Sequence, residues 1–272
     1  MKTTSLVLLG LTNTWELEIF FFFFIFLLAY AAIMAGNLLI VVTVTFDSHL
    51  HSIPMYFLLG NLSFLDMFLS TITTPKMVAN FLKENKTISL WGCMAQMFFL
   101  HFLGGSEMTL LIVMAVDRYI AICRPLHYTT IMNHRMLMGS VLLSSAVGFV
   151  HTMSQMVFTI TLPFCGPNVV DNIFCDLPLV LKLACTDTYV LELLVIADSG
   201  LLSFICFILL LISYPALSTF SFSVDKFLSV FYSIITPLLN PIIYTLKNKE
   251  MRAAMSNLGT SMWHGHGSKK TK

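Results

Sequence analysis

Apolar residues run in long blocks separated by short polar stretches, and these blocks set the architecture. Six blocks are long enough to be helices that cross a lipid bilayer, at about residues 19–44, 54–81, 94–122, 136–162, 190–214 and 227–246. A crossing helix needs roughly 20 mostly apolar residues. The runs are too long and too continuous for the strands of a membrane barrel, the other structure that satisfies its backbone in lipid. The predicted class is therefore all-α, a multi-pass transmembrane helical bundle, with an N-terminal segment over 1–18 and a tail over 247–272. The first segment is short and of mixed polarity. The run after it is too long for a signal h-region and has no small-residue cleavage site, so it is read as the first span.

Composition agrees. Of 272 residues, 57% are hydrophobic and 11% charged. A soluble domain could not hide that much apolar surface. The net charge of +1 gives no case for nucleic acid as a partner, and membrane lipid is the expected surrounding. Nothing in the sequence calls for a cofactor.

Polar residues inside the spans are few and informative. Residues 20–24 are five phenylalanines suited to lipid contact. Gly36 and Asn37 in the first span suit close helix approach and an interhelical hydrogen bond. Pro54 fits the first turn of the second span, where its missing N–H costs nothing, and Pro75 is expected to kink its outer end. Asp66, deep in that span with Asn61 and Ser63, should face the bundle interior and have a partner or an ion. Glu107 in the third span is a second buried carboxylate. The pair can hold a cation such as sodium, which takes oxygen ligands, or one protonated carboxyl can donate to the other. Ser144 and Ser145 in the fourth span read as packing contacts. Asp198 in the fifth is either an acid facing a ligand or a neutral, protonated hydrogen-bonding group. Pro237 and Pro241 in the last span free carbonyls for Asn240, water or a neighbour, which makes a hinge.

The loops carry further chemistry. Cys93, Cys165, Cys175 and Cys185 belong to one side of the membrane, and an even set in an oxidising compartment implies two disulfides in any of three connectivities. Zinc is the rival, but it wants close ligand pairs, and the loop cysteines are ten residues apart. Asn85-Lys86-Thr87 is a glycosylation sequon if its loop is lumenal. His264 and His266 lie in a solvated tail.

Several strings occur in an order that resembles the odorant (olfactory) receptors, a branch of the rhodopsin-like class A G-protein-coupled receptors. They are Gly36-Asn37, Pro54-Met55-Tyr56-Phe57, Leu62-Ser63-Phe64-Leu65-Asp66, the string from Met114 through Asp117-Arg118-Tyr119 to Cys123, the three loop cysteines, Ser213-Tyr214, and Pro237 through Asn240-Pro241 to Tyr244. The likeness runs from Leu8 to about Met255. This chain has Val116 where the family usually has Tyr, Asp198 where it usually has Asn, and no sequon in its N-terminal segment. The resemblance implies a seven-helix plasma-membrane receptor with an extracellular N-terminus. It implies disulfides Cys93–Cys175 and Cys165–Cys185, and a small volatile odorant held by His101, Gly104, Gly105, Asp198 and Leu202. Asp117, Arg118 and Tyr119 would face a heterotrimeric G protein of the stimulatory olfactory type, and Asp66, Glu107 and Asn240 would form an inner polar network.

The pattern breaks between Tyr214 and Phe227, which are joined by 12 residues. The family has a basic loop, a whole sixth helix and an outer loop there, so only six spans are recognisable. With the N-terminus outside, five crossings leave Tyr214 inside and a sixth would put the tail outside. Yet the tail carries Lys247, Lys249, Arg252, Lys269, Lys270 and Lys272, and positive charge prefers the cytoplasm. The expected product is an olfactory receptor impaired in signalling. The alternative is a non-signalling membrane protein that associates with intact receptors or is held in the endoplasmic reticulum and cleared. An enzyme or transporter is disfavoured, because no zinc-protease motif, nucleophile elbow or inverted repeat is present.

Overall fold

A computed structural model describes residues 5–8, 23–81, 87–164, 169–170, 175–195, 197, 200–201, 204, 251 and 253–255. Four long helices dominate: α1 (Phe24–Phe46), α2 (Pro54–Phe81), α3 (Leu90–Cys123) and α4 (His134–Ile160). All four are long and apolar enough to cross a membrane. Residues 189–195 are also helical. The rest of the expected fifth span and the whole last span lie outside the described residues or are described at isolated positions.

Local sequence sets the helix starts. Ser89 accepts the Gly92 N–H at 3.1 Å and caps α3, and Asn133 accepts the Met136 N–H at 3.0 Å and caps α4. These side chains take up backbone donors that have no partner within the first helical turn. Asp47 does the same for the single turn Ser48–Ser52 that leads into α2.

Helix α2 is central. It packs along α1 on one side and α3 on the other, and α3 packs most extensively against α4. The most apolar window of α2 is 50% buried, against 22% for α1, which places α1 at the rim. Helix α4 shows how the bundle associates. Its buried positions include Ser140, Ser144, Gly148, Thr152, Gln155 and Thr159, spaced three or four apart, while Leu142, Leu143, Val150 and Phe158 face outward. Lipid is as apolar as leucine, so large apolar residues gain nothing by leaving it, and small residues that let backbones approach take the interface. The hydroxyls of Ser140, Ser144, Thr152 and Thr159 each donate to the carbonyl four residues back, so their burial leaves no donor unmet.

Helices α3 and α4 approach closely at Gly105 and Gly148. A Cβ placed on Gly148 would lie 2.6 Å from the Phe102 carbonyl oxygen and 2.7 Å from the Ser106 nitrogen, and one on Gly105 would lie 3.2 Å from the Gly148 Cα.

The loop end carries a small sheet that the all-helical reading did not include. Strand β1 (Ser5–Leu8) pairs antiparallel with β2 (Thr87–Ser89) in the register Ser5 to Ser89, and parallel with β3 (Val169–Val170) in the register Val7 to Val169. It ties the N-terminal segment to two loops. Leu6 is buried there among Ile88, Met94, Met97 and Leu177.

Candidate functional site

The site is best described in three layers. The outer layer is organised by the disulfide Cys93–Cys175, which joins the start of α3 to the long loop. Both cysteines are fully buried. Gln96, one turn below Cys93, reinforces the link: its Oε1 accepts the Cys175 N–H at 3.2 Å and its Nε2 donates to the Ile72 carbonyl of α2 at 3.4 Å. Sequence reasoning missed Gln96. Its signal was a lone amide in an apolar run, which requires partners in a bundle. Cys185 is also disulfide-bonded. Its expected partner Cys165 lies outside the described residues, as does Asn85.

Under this loop sits a polar cluster. His101 Nδ1 lies 2.8 Å from the Met97 carbonyl, and His101 interacts electrostatically with Asp176 of the loop and His151 of α4. The Gln155 amide nitrogen lies 3.3 Å from His151 Nε2. Burial pushes the Asp176 carboxyl above the usual carboxylate range, while His101 and the backbone of Leu177 pull it down. Of the residues expected to touch a ligand, His101 is half-buried beside this cluster. A Cβ on Gly104 would meet nothing within 4 Å, whereas Gly105 is turned against α4. Asp198 and Leu202 lie outside the described residues.

The middle layer holds Asp66 on α2 and Glu107 on α3, each fully buried and close enough to interact electrostatically. Neither Glu107 oxygen, nor the hydroxyls of Ser63 and Ser70, has a hydrogen-bond partner among the described residues. Two neighbouring carboxyl groups at this depth repel one another when both are ionised. Every donor here is oxygen, the set that a hard cation takes. Among the described residues there is no group of three His, Cys, Asp or Glu side chains able to hold a metal. Asn240 lies outside the described residues.

The inner layer surrounds the Asp117-Arg118-Tyr119 string. Asp117 is buried and accepts a hydrogen bond from the Tyr128 hydroxyl at 2.8 Å. Arg118 reaches across to the thioether of Met55 at the start of α2. Asp117 thus takes its hydrogen bond from Tyr128 while Arg118 acts on it electrostatically. Burial, then the Asp117 carboxylate, raises the Tyr128 phenol well above its ordinary value, so it stays a donor at physiological pH. Tyr119 is exposed. At this same end, Met251 and Ala254 of the tail are buried with Ile40, Val44, Leu50 and Tyr56.

The match to known proteins covers these same elements. The family model for the olfactory receptor matches residues 26–224. Human olfactory receptor 4K13 is 57% identical over 288 positions, spanning 92% of this chain and 94% of the relative. Human olfactory receptor 4L1 is 56% identical over 294 positions, with 94% of each chain covered, and human olfactory receptor 4F4 is 49% identical over 306, with 98% and 99% covered. These alignments are longer than the chain. For the first, 92% of 272 residues is about 250, so about 38 of the 288 positions have no residue here. The same reckoning gives about 38 and about 39 for the other two. With its helical membrane bundle, its disulfide-tied outer loop and this identity along nearly its whole length, the chain belongs to the olfactory receptor family.

Proposed function

We propose that this chain is an olfactory receptor that has lost its sixth transmembrane helix, and odorant-driven signalling with it. One observation carries the reading. Each relative has close to 40 positions that this chain lacks, while only 12 residues join Tyr214 to Phe227. A crossing helix of about 20 residues plus its flanking loops accounts for a gap of that size.

The consequence is mechanical. In this receptor class, activation swings the sixth helix outward and opens an inner groove for the G protein. An agonist works by binding the open state better than the closed one. Without that helix the open state has no moving wall, and the ligand cavity loses a side. The remaining odorant contacts are His101, Gly104, Asp198 and Leu202, with Gly105 setting the α3–α4 spacing behind them. Asp117, Arg118 and Tyr119 keep the G-protein face, for a G protein of the stimulatory olfactory type. Asp66, Glu107 and Asn240 form the inner network and share one proton or one sodium ion. Cys165 pairs with Cys185. The tail is cytoplasmic, in keeping with its lysines and with the packing of Met251 and Ala254 at the Arg118 end, so the last span lies partly in the bilayer and does not complete a crossing. The relatives carry the names of receptors and not of enzymes, and the chain has no catalytic role.

A cyclic AMP reporter in cells, challenged with a broad odorant panel, tests the proposal. No odorant should raise the signal above vector. Inserting the missing segment from one of the relatives between Ala216 and Ser223 should restore a response. A dose-dependent response from the unmodified chain would refute the reading. Surface staining through an N-terminal tag separates a silent surface receptor from one retained in the endoplasmic reticulum.

A further inference from the structure

A cavity lies on the opposite side of α3 from His101. At 3.6 residues per turn, Gly92, Ala95, Gln96 and Phe99 form one stripe of the helix, and His101 and Gly104 sit on the far side of it. The cavity has a volume of about 460 Å³ and is walled by the outer end of α2, by β2 and by α3. That size falls within the range of about 300–1,000 Å³ typical of small-molecule sites.

We infer that this groove binds the carboxylate head of a free fatty acid from the outer leaflet, with Lys76 as its anchor. Lys76 lines the cavity, half-buried, and among the described residues that line it none is acidic. Its ammonium has three donors. One goes to the Thr87 carbonyl at 3.1 Å, which holds the side chain over the groove and leaves two for an anion. Ser89 accepts the Gly92 N–H, so its own O–H also remains to donate. Below this polar rim the walls are apolar. Ile72 lines one side, and Phe99, 47% exposed, lies one turn below the exposed Ala95 on the other. The floor is held firm by Gln96, whose amide is engaged by both Ile72 and Cys175. A cation at the rim of an apolar slot at the membrane surface suits an amphiphile with a single negative head. Anionic phospholipid is concentrated in the cytoplasmic leaflet, whereas this groove lies at the disulfide end, so a free fatty acid is the fitting source.

The test uses the full chain in phosphatidylcholine nanodiscs, with the fluorescent fatty acid cis-parinaric acid as probe. Binding should saturate, decanoate should displace the probe, and decanol should not. Lys76→Gln should weaken binding about tenfold or more, the loss expected for a charge-assisted hydrogen bond. Lys76→Arg should bind like the parent, which separates loss of charge from loss of fold. An intact Cys93–Cys175 disulfide, read by mass after alkylation, checks each variant. Unchanged binding in Lys76→Gln, or displacement by decanol as strong as by decanoate, overturns the inference. So does displacement by phosphatidylglycerol built into the disc, because a bilayer phosphate would then be the occupant.

Discussion

Replacing Gly148 with alanine puts the α3–α4 crossing to a quantitative test. The added Cβ would stand 2.6 Å from the Phe102 carbonyl oxygen and 2.7 Å from the Ser106 nitrogen, with the Ser106 hydroxyl closer still. Carbon contacts settle near 3.5–4.0 Å, so the two helices must part by about 1 Å. Overpacking of this kind costs about 1–3 kcal/mol. Alanine's better helix propensity returns at most about 1 kcal/mol. Two of the three obstacles are backbone, so the upper end of that cost applies, and the net loss is about 2 kcal/mol, which at roughly 2–4 °C per kcal/mol lowers Tm by about 4–8 °C. Thermal unfolding of a fluorescent-protein fusion in detergent micelles, followed by size exclusion, measures it. Gly139→Ala and Gly104→Ala are matched controls, because a Cβ at either site meets nothing within 4 Å, and both should melt at or above the parent. Gly105→Ala should fall between, since its Cβ meets the Gly148 Cα at 3.2 Å. Adding Ser106→Gly to Gly148→Ala should not rescue it, because the other two obstacles are backbone. A Gly148→Ala protein that melts as high as Gly139→Ala would refute the close crossing.

Other expectations follow from single contacts. Tyr128→Phe removes the hydrogen bond to buried Asp117 and should cost about 1.5–3 kcal/mol, read as a fall in Tm in the same assay. Cys93→Ser opens a link between positions 82 residues apart, a loss of about 4–5 kcal/mol in chain entropy, and should abolish surface staining. Asp176 binds its proton more tightly folded than unfolded, chiefly because of burial. The parent should therefore lose stability as pH rises out of the ordinary carboxylate range, and Asp176→Asn should flatten that dependence in melts across pH.

Much of the fold could be read from the chain because lipid imposes one-dimensional rules. A stretch such as residues 134–160 is helical because no other conformation satisfies its backbone in hydrocarbon. The buried acids Asp66 and Glu107 stood out for the same reason, since an ionisable group at that depth needs a use. Gln96 did not stand out, because its value lies in reaching a loop nitrogen 79 residues away. The small sheet was equally hidden. Its strands are two to four residues long and come from three separate segments, too short for any periodic signal.

The order of apolar blocks and polar motifs alone determined the membrane bundle and the family likeness, since each depends on length and local composition. Tertiary structure decided which partners those residues take. It set the Tyr128 hydroxyl on Asp117, turned Gly105 toward α4, set Lys76 over an open groove and buried Met251 beside Tyr56. Those outcomes depend on how helices rotate and cross, and a one-residue change of facing moves a side chain by about 100° around its axis.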